Sequence, residues 1–235
     1  MTLKLGVPSK GRLMDKTFDW FAARGVTLSQ TGEAREYAGA VEGVEGVTLL
    51  LLSAGEIPRE LAAGRIHLGV TGSDLVRERM GSWRTEVREL APMGFGHADL
   101  VLAVPQAWID VETPGDLDAV AAAFRARHGR RLRIATKYHR LVRDYLRAEG
   151  VADYALVDSQ GATEGTVANG TAEAIADITS SGETLRANRL KPLATPPIHR
   201  SEATLFRARR AAWTEPTRAA CEALLARLGL SGDDD

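Results

Sequence analysis

The chain has 235 residues, of which 44% are hydrophobic and 26% are charged, and its formal net charge is −1. This composition is typical of a globular protein with one large domain or two small ones. A nearly neutral chain has no overall attraction to nucleic acid or to a membrane surface, so we expect neither as a partner and any anion site must be local. The single cysteine, Cys221, excludes an internal disulfide and a cysteine metal cluster, and we expect a packed thiol.

The N-terminal segment of the chain has the pattern of a short strand. It contains no apolar core of a secretion signal, and the sequence has no apolar run long enough to cross a membrane. We therefore expect a cytoplasmic protein.

Strand-like apolar segments alternate with helix-like segments along most of the chain, which predicts an α/β protein with mostly parallel sheets. Three helices have recognisable ends: one closes at Gly25, one runs from Thr113 to about Gly129, and one runs from Thr214 to Gly229. We predict strands at residues 4–7, 47–52, 66–70, 100–104, 132–135, 154–157, 175–178 and 203–207.

Two segments in the first third of the chain resemble two later segments in their order of predicted elements. Leu3–Leu13 and Leu132–Leu141 both read as a strand, a turn with a lysine, and Arg-Leu opening a helix. Residues 64–75 and 170–185 both read as a helix end, a strand, a Thr/Ser/Gly turn and a helix start. The echoes predict two lobes of similar architecture that share a crevice, where open α/β sheets bind ligands.

The predicted crossings between the lobes set their limits. We expect residues 1–98 and 180–235 to form the first lobe, and residues 99–179 to form the second.

A glycine- and hydroxyl-rich turn lies between a predicted strand and a predicted helix in the second lobe. Its residues are Gly161, Ala162, Thr163, Glu164, Gly165 and Thr166. We expect its backbone N–H groups and the hydroxyls of Thr163 and Thr166 to converge on an anion. Glu164 and, further along, Asp177 are suited to accept hydrogen bonds from ribose hydroxyls.

Two further turns carry cations. Lys10, Gly11 and Arg12 follow the first predicted strand, and Lys137 lies in the corresponding turn of the second lobe. Cations are unfavourable at a helix start because of the helix dipole, and this mismatch favours phosphate binding over a solvated charge. The turn Thr71-Gly72-Ser73 has no cation, and the sequence leaves open whether it contacts a nucleotide or caps a helix.

Several common catalytic patterns are absent from the sequence. The five histidines show no metal-ligand spacing, and there is no Gly-x-Ser-x-Gly, Walker A or Gly-x-Gly-x-x-Gly motif. What remains is a site rich in phosphate and sugar contacts but poor in bases and nucleophiles. Such a site suits substitution at an activated sugar carbon, which needs cations for the leaving group and oxygens near the developing positive charge.

Taken in order, these motifs resemble those of ATP phosphoribosyltransferase, the first enzyme of histidine biosynthesis. The resemblance implies a two-lobed fold like that of periplasmic binding proteins of type II, with a cleft between the lobes. It implies a reaction in which N1 of ATP attacks C1 of phosphoribosyl pyrophosphate with inversion and releases pyrophosphate. It also implies Mg²⁺ on the pyrophosphate, with no direct protein cage for the metal.

The resemblance assigns roles to the motif residues. The turn at 161–166 holds the 5-phosphate, and Asp177 and Glu164 lie near the ribose. Lys10 and the turn at 71–73 serve ATP or the pyrophosphate, and Arg35 matches a family arginine that neutralises phosphate charge. No general base is assigned, because adenine N1 already carries a lone pair.

The sequence departs from the family pattern at Ser53, where many members carry an arginine. Arg59, Arg35 or a partner chain remain as candidates to replace that guanidinium. Too few residues follow Leu190 for the regulatory domain of long-form members. The resemblance to the short form implies a homodimer, and a hetero-oligomer with a regulatory subunit resembling histidyl-tRNA synthetase.

Two other readings compete with this one, the first of them with the same two-lobed fold. A non-enzymatic solute-binding protein would predict a secretion signal and no paired phosphate turns, and the sequence has the reverse. The ligand-sensing domain of a transcription regulator would need a DNA-binding module, which the sequence does not indicate.

Overall fold

The structure is a computed structural model, and it describes residues 1–30 and 38–231. The chain divides into two compact units, one formed by Met1–Gly96 with Glu202–Asp235 and the other by His97–Ser201. The second crossing between units therefore lies about twenty residues beyond the expected position near residue 180. The reason is that the intervening residues form strands that complete the second sheet.

Strands and helices alternate through both units. The first unit begins with β1 Leu3–Pro8, α1 Gly11–Ala22, β2 Thr27–Gln30, β3 Ala38–Glu42, β4 Val47–Leu52, α2 Ile57–Ala62, β5 Leu68–Gly72, α3 Ser73–Arg79, α4 Trp83–Glu86 and β6 Val87–Pro92. The second unit consists of β7 Ala98–Pro105, α5 Pro114–His128, β8 Leu132–Thr136, α6 His139–Ala148, β9 Tyr154–Asp158, α7 Gly165–Ala168, β10 Ala174–Thr179, α8 Glu183–Ala187, β11 Leu190–Pro192 and β12 His199–Ser201. The chain returns to the first unit with β13 Ala203–Ala208 and α9 Glu215–Arg227.

Each unit is built on one mixed sheet. The strand order is β2-β3-β4-β1-β5-β13-β6 in the first and β11-β7-β10-β8-β9 in the second, where β12 also pairs with β7. The sheets are parallel only at β4-β1-β5 and at β9-β8-β10, and the flanking pairs are antiparallel. The expectation of mostly parallel sheets fails for two reasons. A short turn joins β3 to β4 and permits only antiparallel pairing. Strands β7 and β13, which directly follow the crossings between the units, run antiparallel to β10 and β5.

The two sheets share one strand order around their parallel centres. The run β4-β1-β5-β13 in the first unit corresponds to β9-β8-β10-β7 in the second, including the antiparallel fourth strand. The echoed segments Leu3–Leu13 and Leu132–Leu141 contain the matching central strands β1 and β8. The sequence echo therefore corresponds to a repeated architecture.

Local sequence signals explain where elements begin, end and pack. Helix α5 starts with a capping box in which Thr113 and Asp116 satisfy each other's backbone N–H groups, and it ends at Gly129, whose φ of 66° is left-handed. Helix α6 buries Val142 and Leu146, which lie four residues apart on one face. Cys221 is buried on α9, as expected of a packed thiol. Among the described residues, no helix has the length and apolar character needed to span a membrane.

Glu173 forms a polar anchor at the amino end of the central strands of the second sheet. Its carboxylate accepts hydrogen bonds from the Arg133 backbone N–H at 2.8 Å, from Arg133 Nη2 at 2.7 Å and from Arg130 Nη2 at 3.1 Å. Burial by itself raises the pKa of Glu173, but the hydrogen bonds from Arg133 and Arg130 outweigh it and lower the pKa to about 2. The ionised carboxylate therefore stabilises the folded state.

Replacing Glu173 with glutamine is expected to lower the free energy of unfolding by about 2 kcal/mol at pH 7, after a discount for solvent screening. The folded pKa of about 2 lies below the ordinary value of 4.5. The stabilisation of the folded state by the Glu173 carboxylate is therefore complete well above pH 4.5 and is lost as the pH falls toward 2. Urea unfolding of the wild type and Glu173→Gln at neutral and acidic pH measures this difference.

The difference in the free energy of unfolding between the wild type and Glu173→Gln should fall by more than half on acidification to about pH 3. Glu149→Gln, at an exposed position after α6, serves as the matched control and should change stability by less than about 0.5 kcal/mol. A difference in the free energy of unfolding that stays constant with pH would contradict the stabilising role of the ionised Glu173 carboxylate.

Candidate active site

Three of the predicted motifs meet at one edge of the second sheet. Ala135 in β8 is the register partner of Val157 in β9 and of Ile175 in β10. Two residues further along, Lys137 and Asp177 are level with each other, and the turn after β9 lies at the same edge. The carboxyl ends of neighbouring parallel strands thus bring together the glycine-rich turn, the cation and the acid.

The turn from Ser159 to Thr166, called the phosphate loop below, is braced by its own hydroxyl groups. The buried Ser159 Oγ donates to the buried Thr163 Oγ1 at 3.1 Å, and Thr166 Oγ1 donates to the Thr163 carbonyl at 2.6 Å. The Thr166 hydroxyl thus donates to the loop itself, whereas Thr163 Oγ1 accepts a hydrogen bond and keeps its own proton. The expected contact of these two hydroxyls with an anion stays a prediction.

The backbone of the phosphate loop has an unusual conformation at Ala162, whose φ is 49°. A non-glycine residue in the left-handed region costs about 1 kcal/mol, and such strain is typical of functional turns. The Ala162 carbonyl accepts the Gly165 N–H at 3.0 Å, which closes the turn. Within residues 1–30 and 38–231, the N–H groups of Gly161, Ala162 and Thr163 donate to no other backbone group, so they remain available to an anion.

Lys137 and Asp177 form an ion pair beside the phosphate loop. Lys137 Nζ lies 3.9 Å from Asp177 Oδ1, and the two side chains are 34% and 14% exposed. Asp177 Oδ1 also accepts the Ile178 N–H at 2.8 Å, which fixes the carboxylate close to its own strand. Thr136 Oγ1 accepts the Tyr138 N–H at 2.9 Å and so shapes the turn that carries Lys137. The pair places an acid and a cation together at the carboxyl edge of the second sheet.

Glu164 is the residue before α7 and is partly buried. In the part of the chain that the structure describes, it forms no ion pair with Lys137 or any other cation. It therefore belongs to the phosphate loop, separate from the Lys137–Asp177 pair.

In the first unit, the predicted motifs also lie at the carboxyl ends of the parallel strands. Strand β1 ends at Pro8, level with Leu52 at the end of β4, and β5 is parallel on its other side. Lys10 is exposed in extended conformation, and Gly11 follows it with a φ of 70°, which favours glycine. Arg12 is exposed in the first turn of α1. The cations of this turn are thus available to an anion.

In the turn Thr71-Gly72-Ser73, the Thr71 hydroxyl makes a structural contact. Thr71 is fully buried, and its Oγ1 donates to the Ala54 carbonyl at 2.8 Å. The Ser73 N–H donates to the Glu202 carbonyl at 3.1 Å, and Gly72, not Ser73, occupies the N-cap position of α3. The Thr71 hydroxyl thus ties this turn to the one after β4 and is not directed at a ligand.

Ser53, where the resemblance led us to expect an arginine, helps to start α2. Its N–H and Oγ donate to Glu56 Oε2 at 3.1 and 2.8 Å. The hydrogen bond from the Ser53 hydroxyl, followed by the one from its backbone, lowers the pKa of Glu56. Arg59, a candidate replacement, pairs with Glu56 at 4.0 Å and with Glu60 at 3.5 Å. The second candidate, Arg35, lies outside the described residues.

The structure also reveals site residues that the sequence did not single out. Ser159 is buried at the base of the phosphate loop, and His139 Nε2 lies 3.2 Å from Asp158 Oδ1 at the end of β9. Gln160 Nε2 donates to the same Asp158 oxygen at 2.7 Å. Ser159 could have been found from the sequence, because it is a serine just beyond the end of a predicted strand. The His139–Asp158 contact joins residues nineteen positions apart and has no local signature.

No group of three or more histidine, cysteine, aspartate or glutamate residues within the described ranges is arranged to hold a metal ion. Asp177 offers one carboxylate at the site. Mg²⁺ commonly takes one or two carboxylates and completes its shell with substrate phosphates and water. The donor set therefore fits a magnesium ion held mainly by a pyrophosphate.

Solved structures share this architecture. A chain of the ATP phosphoribosyl transferase (HisG:HisZ) complex from Thermotoga maritima aligns with a TM-score of 0.73 at 22% identity, over 97% of this chain and 96% of that one. A periplasmic sulfonate-binding protein, SsuA from Methylobacillus flagellatus, aligns with a TM-score of 0.57 at 14% identity, over 97% of this chain and 67% of that one. These similarities confirm the expected fold of the periplasmic-binding-protein type.

Sequence comparison identifies the family. Residues 53–229 match the family HisG: ATP phosphoribosyltransferase. The chain is 74% identical over 230 residues to the ATP phosphoribosyltransferase of Cereibacter sphaeroides, covering 98% of this chain and 97% of that protein. It is 51% identical over 212 residues to the enzyme of Sinorhizobium medicae, covering 90% and 92%. The chain therefore belongs to the ATP phosphoribosyltransferase family, whose members catalyse the first step of histidine biosynthesis.

Proposed function

We propose that the residues at the carboxyl edges of the two sheets carry out the family reaction, in which N1 of ATP displaces pyrophosphate from C1 of phosphoribosyl pyrophosphate. The observation that supports this most directly is the position of the phosphate loop beside the Lys137–Asp177 pair, on three neighbouring strands. A phosphate held by the loop would present its ribose to Asp177.

In the second unit, the amides of Gly161, Ala162 and Thr163 hold the 5-phosphate. Asp177 accepts a ribose hydroxyl and places negative charge near C1, where positive charge develops as the bond to pyrophosphate breaks. Lys137 keeps that carboxylate in position through the ion pair and attracts the phosphates. Adenine N1 supplies the electron pair for the new bond, so no residue has to act as a base.

In the first unit, Lys10 and Arg12 bind the phosphates of ATP or of the leaving pyrophosphate, and Arg35 adds a further positive charge. Gly11, in its left-handed conformation, lets the backbone turn directly after Lys10. The turn 71–73 contributes to binding these phosphates through its backbone shape and through Gly72, which carries no side chain. A magnesium ion on the pyrophosphate would neutralise charge on the leaving group, and Asp177 would be available to it as a protein carboxylate.

A Lys10→Ala variant tests the first unit's role. We expect kcat/KM to fall by about 100-fold, which corresponds to about 2.7 kcal/mol of lost transition-state stabilisation. The formation of phosphoribosyl-ATP, followed by its ultraviolet absorbance, measures this. Lys16→Ala, on an exposed position of α1, is the matched control and should keep full activity. A fully active Lys10→Ala enzyme would remove this lysine from the mechanism.

We also propose that the chain forms a homodimer and assembles with a separate regulatory subunit resembling histidyl-tRNA synthetase, in the cytoplasm. The structural similarity to a chain of the Thermotoga maritima complex supports the hetero-oligomer. An assay with ATP, phosphoribosyl pyrophosphate and Mg²⁺, with and without a candidate subunit, tests the proposal. Absence of product under both conditions would contradict the proposed function.

A further inference from the structure

A groove of about 590 Å³ lies between α6 and β9. Its lining includes Arg131, His139, Arg143 and Arg147, and on the strand side Tyr154–Leu156. We refer to it as the basic groove. His139 contacts Asp158, the residue before the phosphate loop, and none of the arginines belongs to the substrate-binding set proposed above.

The basic groove runs along an open edge of the second sheet. Strand β9 is the last in its sheet, paired with β8 on one side and with no described strand on the other. Tyr154, Ala155 and Leu156 are consecutive, and consecutive side chains of a strand point to opposite faces. A cavity that touches all three therefore follows the backbone edge, where N–H and C=O groups face outward.

The sequence of β9 does not protect this edge. Natural edge strands usually carry lysine, proline or a bulge that prevents pairing with another chain. Strand β9 reads Tyr-Ala-Leu-Val-Asp, and its first four residues are only partly buried. A short apolar strand with an open edge is suited to accept a further strand.

The charges in the basic groove are largely uncompensated. In the described part of the chain, Arg131 and Arg143 take part in no ion pair. Arg147 lies 3.9 Å from Asp144, and both side chains are mostly exposed, so that pair is weak. The groove thus combines strand-pairing groups with positive charge.

A second copy of this chain does not suit the groove. Symmetric antiparallel pairing of two β9 strands would place both α6 helices on the same face of the joined sheet. Arg143 and Arg147 of each copy would then face those of the other, and like charges brought together oppose association.

We propose that the basic groove binds an extended acidic segment of a different polypeptide, which adds as a strand to the open edge of β9. Backbone hydrogen bonds to β9 supply the pairing. Acidic side chains on one face of the added strand reach Arg143 and Arg147, and apolar side chains on the other cover Leu156. The proposal rests on the geometry of the second unit and not on the catalytic assignment.

The test uses the full chain and a fluorescein-labelled peptide of about six residues that alternates glutamate and valine. Fluorescence anisotropy should show binding that weakens at least about 10-fold in Arg143→Glu/Arg147→Glu and at raised salt. The control Arg127→Glu/Arg218→Glu changes the charge equally at exposed positions outside the groove, and it should bind the peptide as the wild type does. Hydrogen exchange of the β9 amides should slow when the peptide is bound.

Several results would overturn the proposal. They are an absence of peptide binding, equal binding by both double variants, and unchanged exchange in β9. Arginine-dependent binding of pyrophosphate without peptide binding would make the groove a small-anion site. A wild-type dimer that Leu156→Asp dissociates in sedimentation would make it a self-association surface.

Melting temperatures check that the variants fold. Their basal activity should be unchanged, and a loss there with intact peptide binding would bear on the catalytic proposal alone.

Discussion

Replacing Gly161 with leucine is expected to weaken binding of phosphoribosyl pyrophosphate by about 1,000-fold, or about 4 kcal/mol, while the protein still folds. A Cβ built at Gly161 meets no atom within 4 Å, so the free loop has room for a side chain. That side chain would occupy space beside the loop amides to which we assign the 5-phosphate. Isothermal titration calorimetry measures the affinity, and thermal melting should shift little.

Ala168→Leu provides the comparison for this variant, because it adds a similar side chain at an exposed position of α7, beyond the loop. We expect it to bind phosphoribosyl pyrophosphate as the wild type does. Wild-type affinity in Gly161→Leu would show that the phosphate lies elsewhere.

Asp177→Asn is expected to lower kcat by about 100- to 1,000-fold with a much smaller change in the affinity for phosphoribosyl pyrophosphate. Asparagine keeps the shape of the side chain and can still accept the Ile178 N–H, so the local structure should survive. What it removes is the negative charge near C1, which matters most as positive charge develops on the sugar. Steady-state kinetics and calorimetry together separate these effects.

The matched control is Asp110→Asn, at an exposed position after β7, which should leave both parameters unchanged. If Asp177→Asn retained kcat within about 5-fold of the wild type, or lost affinity and kcat equally, the carboxylate would have no specific role in the transition state.

The central strands of both units could be predicted from sequence because each is a short apolar run between polar turns. Strands β8, β9 and β10 were placed to within two residues. Strand β6, which contains Arg88 and Glu89, was missed because it is an edge strand and is only partly apolar. Strands β11 and β12 have three residues each, too few for a recognisable alternation. Missing them also displaced the expected boundary of the second unit.

The residue types of the candidate site could be predicted, but not their contacts. Lys137 and Asp177 were both chosen from sequence, yet their pairing depends on the register of β8 and β10, which the sequence does not reveal. The sequence predicts an anion contact for the Thr166 hydroxyl and leaves open whether the turn at Thr71 contacts a nucleotide or caps a helix. The structure shows that the hydroxyls of Thr71 and Thr166 both donate to backbone carbonyls, which compete with ligands for the same proton.

The left-handed conformation of Ala162 has a consequence for how tightly the loop can bind. Any loop that adopts one conformation only on binding loses conformational entropy at that moment, and its affinity falls accordingly. Here the closing hydrogen bond from Gly165 and the buried Ser159–Thr163 contact already hold the turn before a ligand arrives. The entropy is lost during folding, at the expense of some stability. If the loop binds the 5-phosphate as proposed, the phosphate group would meet a preorganised receptor, and its contacts would contribute to affinity in full.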